Sequence, residues 1–285
     1  MTSKKFKGKA IYQPSGKAAE YSLWACNFFT GCSNDCEYCY CKRGVKSHVW
    51  STEPRLKKCF KDEYDALAVF QGELVMNLEA LKKGGILFSF TTDPMLPKTY
   101  IWTLEAAGIA LDYGVPVQIL TNCTEWLYDP DTRLMFDSIP WKDKHHLVAF
   151  GFTLTGFDEK EPGASLTDER IETMRELHDL GFKTFASIEP IITPTMSRRM
   201  IEATREFCDL YKVGLISGNG KDFYNEKHLT LFYKWLLTRD PGYFKIYLKD
   251  SFLSYFNVPR ENLCGNFVTS EYNIFNPPDS NEVEP

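Results

Sequence analysis

Five of the nine cysteines fall between residues 26 and 41, and three of them, Cys32, Cys36 and Cys39, have the spacing C-x3-C-x2-C. Spacers this short let one loop place three thiolates around a compact iron–sulfur centre. Three thiolates leave one iron of a cubane without a protein ligand, and a catalytic metal needs such an open position. The spacing therefore predicts an open [4Fe–4S] cluster that can supply single electrons.

Two other metal sites must be weighed against this prediction. A structural zinc site needs a fourth ligand, which Cys41, His48 or Cys59 could provide, but the second C-x2-C half that is typical of zinc sites is missing. A ferredoxin-type site would have the spacing C-x2-C-x2-C-x3-C-P, which is absent. The alternative hypothesis is a non-catalytic zinc or iron–sulfur module that binds nucleic acid or a partner protein.

The motif C-x3-C-x-aromatic-C follows a strand-like run and resembles the signature of the radical SAM superfamily. The wider stretch at residues 20–40 resembles the DNA-repair-photolyase-like, spore photoproduct lyase-related branch. This resemblance implies an enzyme, lyase- or transferase-like, that uses a [4Fe–4S] cluster to cleave S-adenosylmethionine reductively to methionine and a 5′-deoxyadenosyl radical. It further implies hydrogen abstraction from a substrate and an external one-electron reductant of the flavodoxin or ferredoxin type.

The resemblance also implies a set of cofactor-binding residues. Tyr38 matches the aromatic residue near the adenine, and most of the others end strand-like runs. The expected set is Tyr38, Ser89, Thr91, Thr92, Asp93, Thr121, Asn122, Thr153, Ser187, Glu189, Gly214, Ile216 and Ser217. Each has a simpler explanation, because serine and threonine at strand ends often cap the next helix and glycines often only make a turn.

The sequence departs from the photolyase-like pattern at two positions. Phe90 stands where a hydrogen-donor cysteine is expected, and Asn122 where a lysine is expected. The first difference argues against thymine-dimer repair by the same chemistry. Cys123 could donate hydrogen instead, or it could be a buried cysteine. Glu189, at the end of a strand-like run, could bind ribose or substrate, or it could neutralise a nearby arginine.

Strand-like and helical runs alternate through the middle of the chain. The strand-like runs are residues 22–26, 85–91, 115–121, 147–154, 182–188 and 211–217. Helices are predicted at residues 63–83 and 167–180, the latter with Thr167 as N-cap, and near 98–113, 196–209 and 223–238. Six units of about 30 residues predict an α/β fold with parallel strands, an open, partial (β/α)6 TIM-like barrel.

The chain is expected to have four parts. These are an N-terminal extension at residues 1–20, the barrel core at 21–220, a helical and aromatic extension packed on the core at 221–270, and a disordered tail at 271–285. Aromatic residues make up 15% of the chain, and helix packing explains them more simply than base stacking does.

The composition limits the class of protein. The 285 residues are 44% hydrophobic and 25% charged, as in globular proteins, and the net charge of −5 gives no electrostatic case for general nucleic-acid binding. The sequence has no apolar run of membrane-spanning length and no signal-peptide pattern. We therefore expect a cytoplasmic protein with no membrane partner; nucleic acid stays open as a substrate class.

Overall fold

The computed structural model describes residues 5–43, 47, 50–139, 141, 143–216, 223–238 and 244–276. Its strands are β1 (Ile11–Tyr12), β2 (Ala25–Cys26), β3 (Phe29–Thr30), β4 (Arg55–Leu56), β5 (Ile86–Phe88), β6 (Val117–Thr121), β7 (Val148–Thr153), β8 (Lys183–Ile191), β9 (Leu210–Leu215) and β10 (Lys245–Leu248). Eight form one sheet in the order β1-β2-β5-β6-β7-β8-β9-β10, while β3 and β4 form a separate antiparallel ribbon. Within the large sheet every pair is parallel except β1 with β2.

Helices connect the parallel strands. They are α1 (Glu63–Met76), α2 (Leu78–Gly84), α3 (Tyr100–Asp112), α4 (Glu125–Tyr128), α5 (Pro130–Ser138), α6 (Thr167–Asp179), α7 (Pro194–Thr204), α8 (Glu226–Leu237) and α9 (Asp250–Phe256). No helix in the described ranges is both long and apolar enough to cross a bilayer. The predicted α/β class, with an open and mostly parallel sheet, is confirmed.

The six predicted strand-like runs overlap β2 and β5 to β9. These strands are almost entirely buried, as expected for a parallel sheet covered on both faces. The sheet has one more parallel strand than predicted, because β10 pairs with β9 in register Leu248 to Val213. Only four residues long, β10 lies between two aromatic-rich helices, so its apolar residues could not be distinguished from helix packing in the sequence.

Two helix predictions were wrong in detail. The helix predicted over residues 63–83 is two helices that meet at Asn77, whose side chain donates to the carbonyl of Glu73 at 2.8 Å. Thr167 is the first residue of α6 and not its N-cap, which is Leu166. The Thr167 amide donates instead to the Asp158 carboxylate at 2.9 Å, so a residue from the preceding loop satisfies it.

The two ends of the described chain pack onto the sheet. At the N-terminus, the buried carboxylate of Glu73 accepts hydrogen bonds from the amides of Lys9, Ala10 and Ile11 at 2.6–3.0 Å, which holds β1 against α1. Near the C-terminus, Phe275 is buried in a small cluster with Ala149, Phe185 and Tyr247 of the sheet. Ile274 and Phe275 of the predicted tail thus pack against the sheet, and residues 277–285 lie outside the described ranges.

Candidate active site

A cavity of about 390 Å³ opens at the carboxyl ends of the parallel strands. This volume suits a small-molecule ligand, and this end of the strands is where α/β folds of this kind bind ligands. The predicted site residues that line the cavity are Cys32, Cys36, Tyr38, Cys39, Ser89, Thr91, Thr92, Asp93, Thr121, Asn122, Thr153, Ser187, Glu189 and Ile216. The structure therefore brings together residues from the ends of five strands and from the cysteine loop.

The cysteine loop, residues 31–42, turns sharply as it leaves β3. Gly31 has a φ of +87°, and a Cβ there would lie 2.4 Å from Ser51 Oγ, so only glycine can occupy the position. Further along the loop, the Cys39 amide donates to the carbonyl of Cys36 at 3.2 Å, which makes a tight turn between two of the predicted ligands. These turns allow three closely spaced cysteines to reach the same cavity.

Asp93 joins the cysteine loop to the end of β6. Its Oδ2 accepts hydrogen bonds from Asn34 Nδ2 and from the Asn122 amide, both at 2.7 Å. Its Oδ1 accepts from Thr121 Oγ1 at 2.6 Å and from the Met95 amide at 2.9 Å. Burial raises the pKa of Asp93, while these hydrogen bonds oppose the rise. With four donors already bound, the carboxylate holds the loop in place.

A buried ion pair supports the other side of the cysteine loop. Glu161 is 2% exposed and Arg170 is 0% exposed, and they contact each other through an Nη2–Oε2 hydrogen bond. Glu161 also accepts hydrogen bonds from the Tyr38 hydroxyl and from Thr155 Oγ1. Arg170 donates to the carbonyl of Thr153 at the end of β7. Tyr38 is therefore held by the loop that follows β7.

That same loop contacts the cysteine loop through backbone groups. The Gly163 amide donates to the carbonyl of Asn34 at 3.0 Å, and the Glu37 amide donates to the carbonyl of Lys160 at 2.9 Å. A Cβ at Gly163 would lie 2.0 Å from the Ser33 carbonyl oxygen, so this close approach requires glycine. The cysteine loop is consequently supported from β5, β6 and β7.

The three cysteine thiols differ in their electrostatic surroundings. Burial raises the pKa of Cys32, although two backbone N–H groups donate to its sulfur and favour the thiolate. Burial also raises the pKa of Cys36 to about 12, with the Glu161 charge adding to the effect. A hydrogen bond from Cys41 lowers the pKa of Cys39 to about 7. A bound metal centre would favour the thiolate in all three positions.

Several strand-end hydroxyl and amide groups are engaged within the protein. Ser89 Oγ donates to the carbonyl of Thr92 at 2.8 Å, and Thr91 Oγ1 donates to the carbonyl of Phe29 at 2.6 Å. Asn122 Oδ1 accepts from the Thr153 amide at 3.3 Å. These groups shape the loops around the cavity as well as lining it.

The wall formed from β8 carries a second polar cluster. The Tyr21 hydroxyl lies 2.6 Å from Ser187 Oγ and donates to Glu189 Oε2 at 2.9 Å. Lys249, which follows β10 and is 1% exposed, donates to the same carboxylate oxygen. Tyr21 precedes β2, which three strands separate from β8 in the sheet, so this contact crosses the concave side of the barrel.

Two of the predicted site residues do not line the cavity, and a third is not described. Cys123 is buried and its thiol donates to Asn34 Oδ1 at 3.3 Å, beneath the cysteine loop. Gly214 lies against the cluster at β8, since a Cβ there would come within 2.9 Å of Glu189 Oε1 and 3.0 Å of Lys249 Cδ. Ser217 lies outside the described residues.

Sequence reasoning missed Lys212 and Lys249, and it missed the buried pair of Glu161 and Arg170. Lysine 249 directly follows the short strand that was not recognised, so its position at a strand end was not visible. Lys212 lies inside the predicted sixth strand, and a lysine in an otherwise apolar strand was a usable signal. Nothing in the sequence pairs Glu161 with Arg170, because the ion pair depends on the loop geometry.

The zinc alternative finds no support in the described ranges, which exclude His48. No three His, Cys, Asp or Glu side chains there converge as a single metal ion would require. A cubane makes a different demand, because each thiolate binds a different iron and the sulfurs need not meet at one point. Three cysteine sulfurs that line one cavity fit such a cluster.

The sequence is similar to a protein family and to two relatives. Residues 26–208 match the model of the Radical SAM superfamily. The uncharacterized protein ORF301 of Acidianus two-tailed virus is 27% identical over 201 residues, 64% of this chain and 60% of that protein. The uncharacterized protein MJ0683 of Methanocaldococcus jannaschii is 25% identical over 218 residues, 73% of this chain and 74% of that protein.

The fold also resembles a solved structure. The crystal structure of Streptococcus suis SuiB bound to precursor peptide SuiA superposes with a TM-score of 0.51 at 12% sequence identity. The match covers 89% of this chain and 55% of the SuiB chain. This chain thus spans about 60% of the viral relative and about half of SuiB. At this identity the likeness is one of fold.

Proposed function

This chain belongs to the radical SAM superfamily, and we propose that it is a radical SAM enzyme in which Cys32, Cys36 and Cys39 hold a [4Fe–4S] cluster. Members of the superfamily generally use an iron–sulfur cluster together with S-adenosylmethionine. The observation that carries the proposal is that all three cysteines line the cavity at the carboxyl ends of the strands. When bound, the two cofactors supply reductive cleavage of S-adenosylmethionine and a 5′-deoxyadenosyl radical that abstracts hydrogen from a substrate.

The protein's own residues bind and orient these groups. Asn34 and Asp93 fix the cysteine loop against β6, and Glu161 fixes Tyr38 at its other side. Backbone N–H groups directed at Cys32 offset part of the burial effect that disfavours its thiolate. The polar lining residues between Ser89 and Glu189 give the cavity hydroxyl, amide and carboxylate groups for hydrogen bonds to S-adenosylmethionine.

Within the superfamily we assign the chain to the photolyase-like branch, on the resemblance of residues 20–40. Phe90 lies at the cavity and provides no thiol, which supports a reaction other than thymine-dimer repair. A soluble flavodoxin or ferredoxin would supply the electron. The net reaction would be of the lyase or transferase type.

Anaerobic reconstitution tests the proposal. The wild-type protein should take up iron and sulfide, show the absorbance of a [4Fe–4S] cluster, and form 5′-deoxyadenosine from S-adenosylmethionine when dithionite is added. Cys36→Ala should lose both the cluster absorbance and the formation of 5′-deoxyadenosine. Cys59→Ala is the matched control, because Cys59 is an exposed cysteine away from the cavity.

Two results would contradict the assignment. One is a Cys36→Ala protein that still forms 5′-deoxyadenosine at the wild-type rate. The other is tightly bound zinc, without iron, in protein purified anaerobically, which would favour the non-catalytic metal module.

A further inference from the structure

The cavity wall nearest β8 is built largely from residues outside the part of the chain that matches the family. The match ends at residue 208, and it begins at residue 26. Ser15, Lys17, Ala18, Tyr21 and Lys249 all line the cavity and all lie beyond those limits. The family domain therefore supplies the cysteine side of the cavity, and added segments complete the other side.

Two buried lysines hold the N-terminal part of this wall, residues 15–21. Lys212, on β9, donates to the carbonyls of Tyr21 at 2.6 Å and Glu20 at 3.2 Å. Lys249 donates to the carbonyl of Lys17 at 3.4 Å. Lysine side chains are rarely buried unless they are paired, and these two are 6% and 1% exposed.

Tyr21 receives contacts from both lysines on its ring as well. The ammonium groups of Lys249 and Lys212 lie 4.1 Å and 5.0 Å from the ring centroid, within the range of a cation–π interaction. The Tyr21 hydroxyl has one proton, which it donates to Glu189, so Ser187 must donate in the contact between the two hydroxyls. The segment is thus attached to β8, β9 and the end of β10.

The same arrangement orients Glu189. Both of its protein donors, Tyr21 and Lys249, use Oε2. Among the described residues none donates to Oε1, which lies over the Cα of Gly214. One carboxylate oxygen is therefore held by the wall, and the other is left to accept a hydrogen bond from a ligand hydroxyl or amino group.

We propose that Lys249 is a positioning residue which, together with Lys212, docks residues 15–21 across the open side of the barrel and directs Glu189 Oε1 toward a hydrogen-bond donor of the bound ligand. The docking claim stands on the structure alone, and only the ligand claim rests on the proposed function. Glu73 holds residues 9–11 independently, so loss of the lysine contacts should release residues 15–21 without releasing β1.

Limited trypsin digestion of the full-length protein tests the docking. Lys17 is exposed, but it lies in the turn Gly16–Glu20 and its carbonyl accepts a hydrogen bond from Lys249. Cleavage after Lys17 therefore needs local opening of the segment, and its rate reports the open population. In Lys249→Met we expect this rate to rise about tenfold or more, as loss of a hydrogen bond to a charged group implies. Lys245→Met, at the opposite end of the same strand, is the matched control and should cleave like the wild type.

Further measurements separate docking from general destabilisation. In Lys249→Met the melting temperature should fall, because Glu189 loses its buried cation. Iron content after reconstitution should stay near the wild-type value, and cleavage at other sites should rise much less than cleavage after Lys17, because other strands support the cysteine loop. Affinity for S-adenosylmethionine, measured by equilibrium dialysis on the reconstituted protein, should fall about tenfold. Tyr21→Phe, which removes only the hydroxyl contacts, should also speed cleavage after Lys17.

The outcomes are distinct. The proposal would be overturned if Lys249→Met were cleaved after Lys17 at the same rate as the Lys245→Met control. It would also be overturned if cleavage of Lys249→Met increased equally at every site. If Lys249→Met fails to fold, the docking is tested by the rate of cleavage after Lys17 in Tyr21→Phe, compared with the Lys245→Met control. A wild-type protein that binds no cluster and no S-adenosylmethionine would refute the proposed function and the ligand claim, while the digestion still decides the docking.

Discussion

The hydroxyl of Tyr21 lies 2.6 Å from that of Ser187, although three strands separate β2 from β8 in the sheet. Tyr21 precedes β2, so the contact requires the sheet to curve until its early and late strands face each other. Together with Lys249, it joins the N-terminal segment to the C-terminal edge of the sheet. One tyrosine therefore ties the two ends of an open barrel across its cavity.

Asp93→Asn should destabilise the protein and weaken cluster uptake. Each carboxylate oxygen accepts two hydrogen bonds, so an amide nitrogen in place of either oxygen leaves two buried donors without an acceptor. The expected loss in the free energy of unfolding is about 2–4 kcal/mol by urea denaturation. Asp112→Asn, which alters an exposed ion pair with Lys144, should cost under about 1 kcal/mol. Equal losses in the two variants would show that Asp93 is not a structural centre.

Arg170→Met should be among the most destabilising single changes in the chain. It leaves Glu161 as a buried carboxylate without its cation, for which the expected cost is about 3–5 kcal/mol. Arg55→Met removes an exposed arginine, 71% accessible in its side chain, and should change stability by under about 1 kcal/mol. Denaturant unfolding of both variants makes the comparison. A loss under about 1 kcal/mol in Arg170→Met would contradict a structural role for this ion pair.

Gly214→Ala should displace the Glu189–Lys249 pair, because the new methyl group would lie 2.9–3.0 Å from atoms of both side chains. We expect a loss of about 1–3 kcal/mol in stability, typical of overpacking. Gly72→Ala is a useful contrast, since it adds a methyl group in open space within α1 and should stabilise by about 0.5–1 kcal/mol. Gly214→Ala with unchanged stability would indicate that the ion pair shifts freely.

The pH dependence of stability should carry a contribution from Lys212. Burial lowers its pKa to about 7, and the charge of Lys249 adds to the decrease, while Glu20 and Glu189 oppose it. Below about pH 7 Lys212 is protonated in both the folded and the unfolded state, so it adds no pH dependence to the free energy of unfolding. Between about 7 and 10 only the unfolded state keeps the proton, so this contribution makes the free energy of unfolding rise with pH.

Comparison of the wild type with Lys212→Met isolates that contribution. Groups that do not contact Lys212 titrate in both proteins and cancel in the difference. Urea unfolding at several pH values should show a wild-type stability that rises relative to the variant across this range. A constant difference would mean that Lys212 has the same pKa in the folded and unfolded states.

Local patterns in the sequence predicted most of the sheet and the cysteine side of the cavity. Strands β5 to β9 are apolar runs bounded by polar residues. The three cysteines are close enough in sequence to lie in one loop. The position of Glu189 at a late strand end also followed from the alternation of elements.

Features that depend on distant contacts could not be predicted. Lys249 follows a four-residue strand whose identity depends on pairing with β9, and Tyr21 reaches β8 only because the sheet curves. Gly214 was interpreted as a cofactor motif, while the structure shows that two side chains approach its Cα. Asp93 could be placed at the cavity from sequence, but its four donors come from residues up to 59 positions away.

The cysteine loop depends on β5, β6 and β7 for support, whereas residues 15–21 depend on β8 to β10. An exchange of residues 15–21 together with residues 245–249 for the equivalent segments of a relative would therefore alter what the cavity admits without disturbing the cysteine loop. Such a chimera would change the ligand that fits the cavity and leave the three cysteines in place. The same division would let related proteins vary one wall of the cavity while they keep the other.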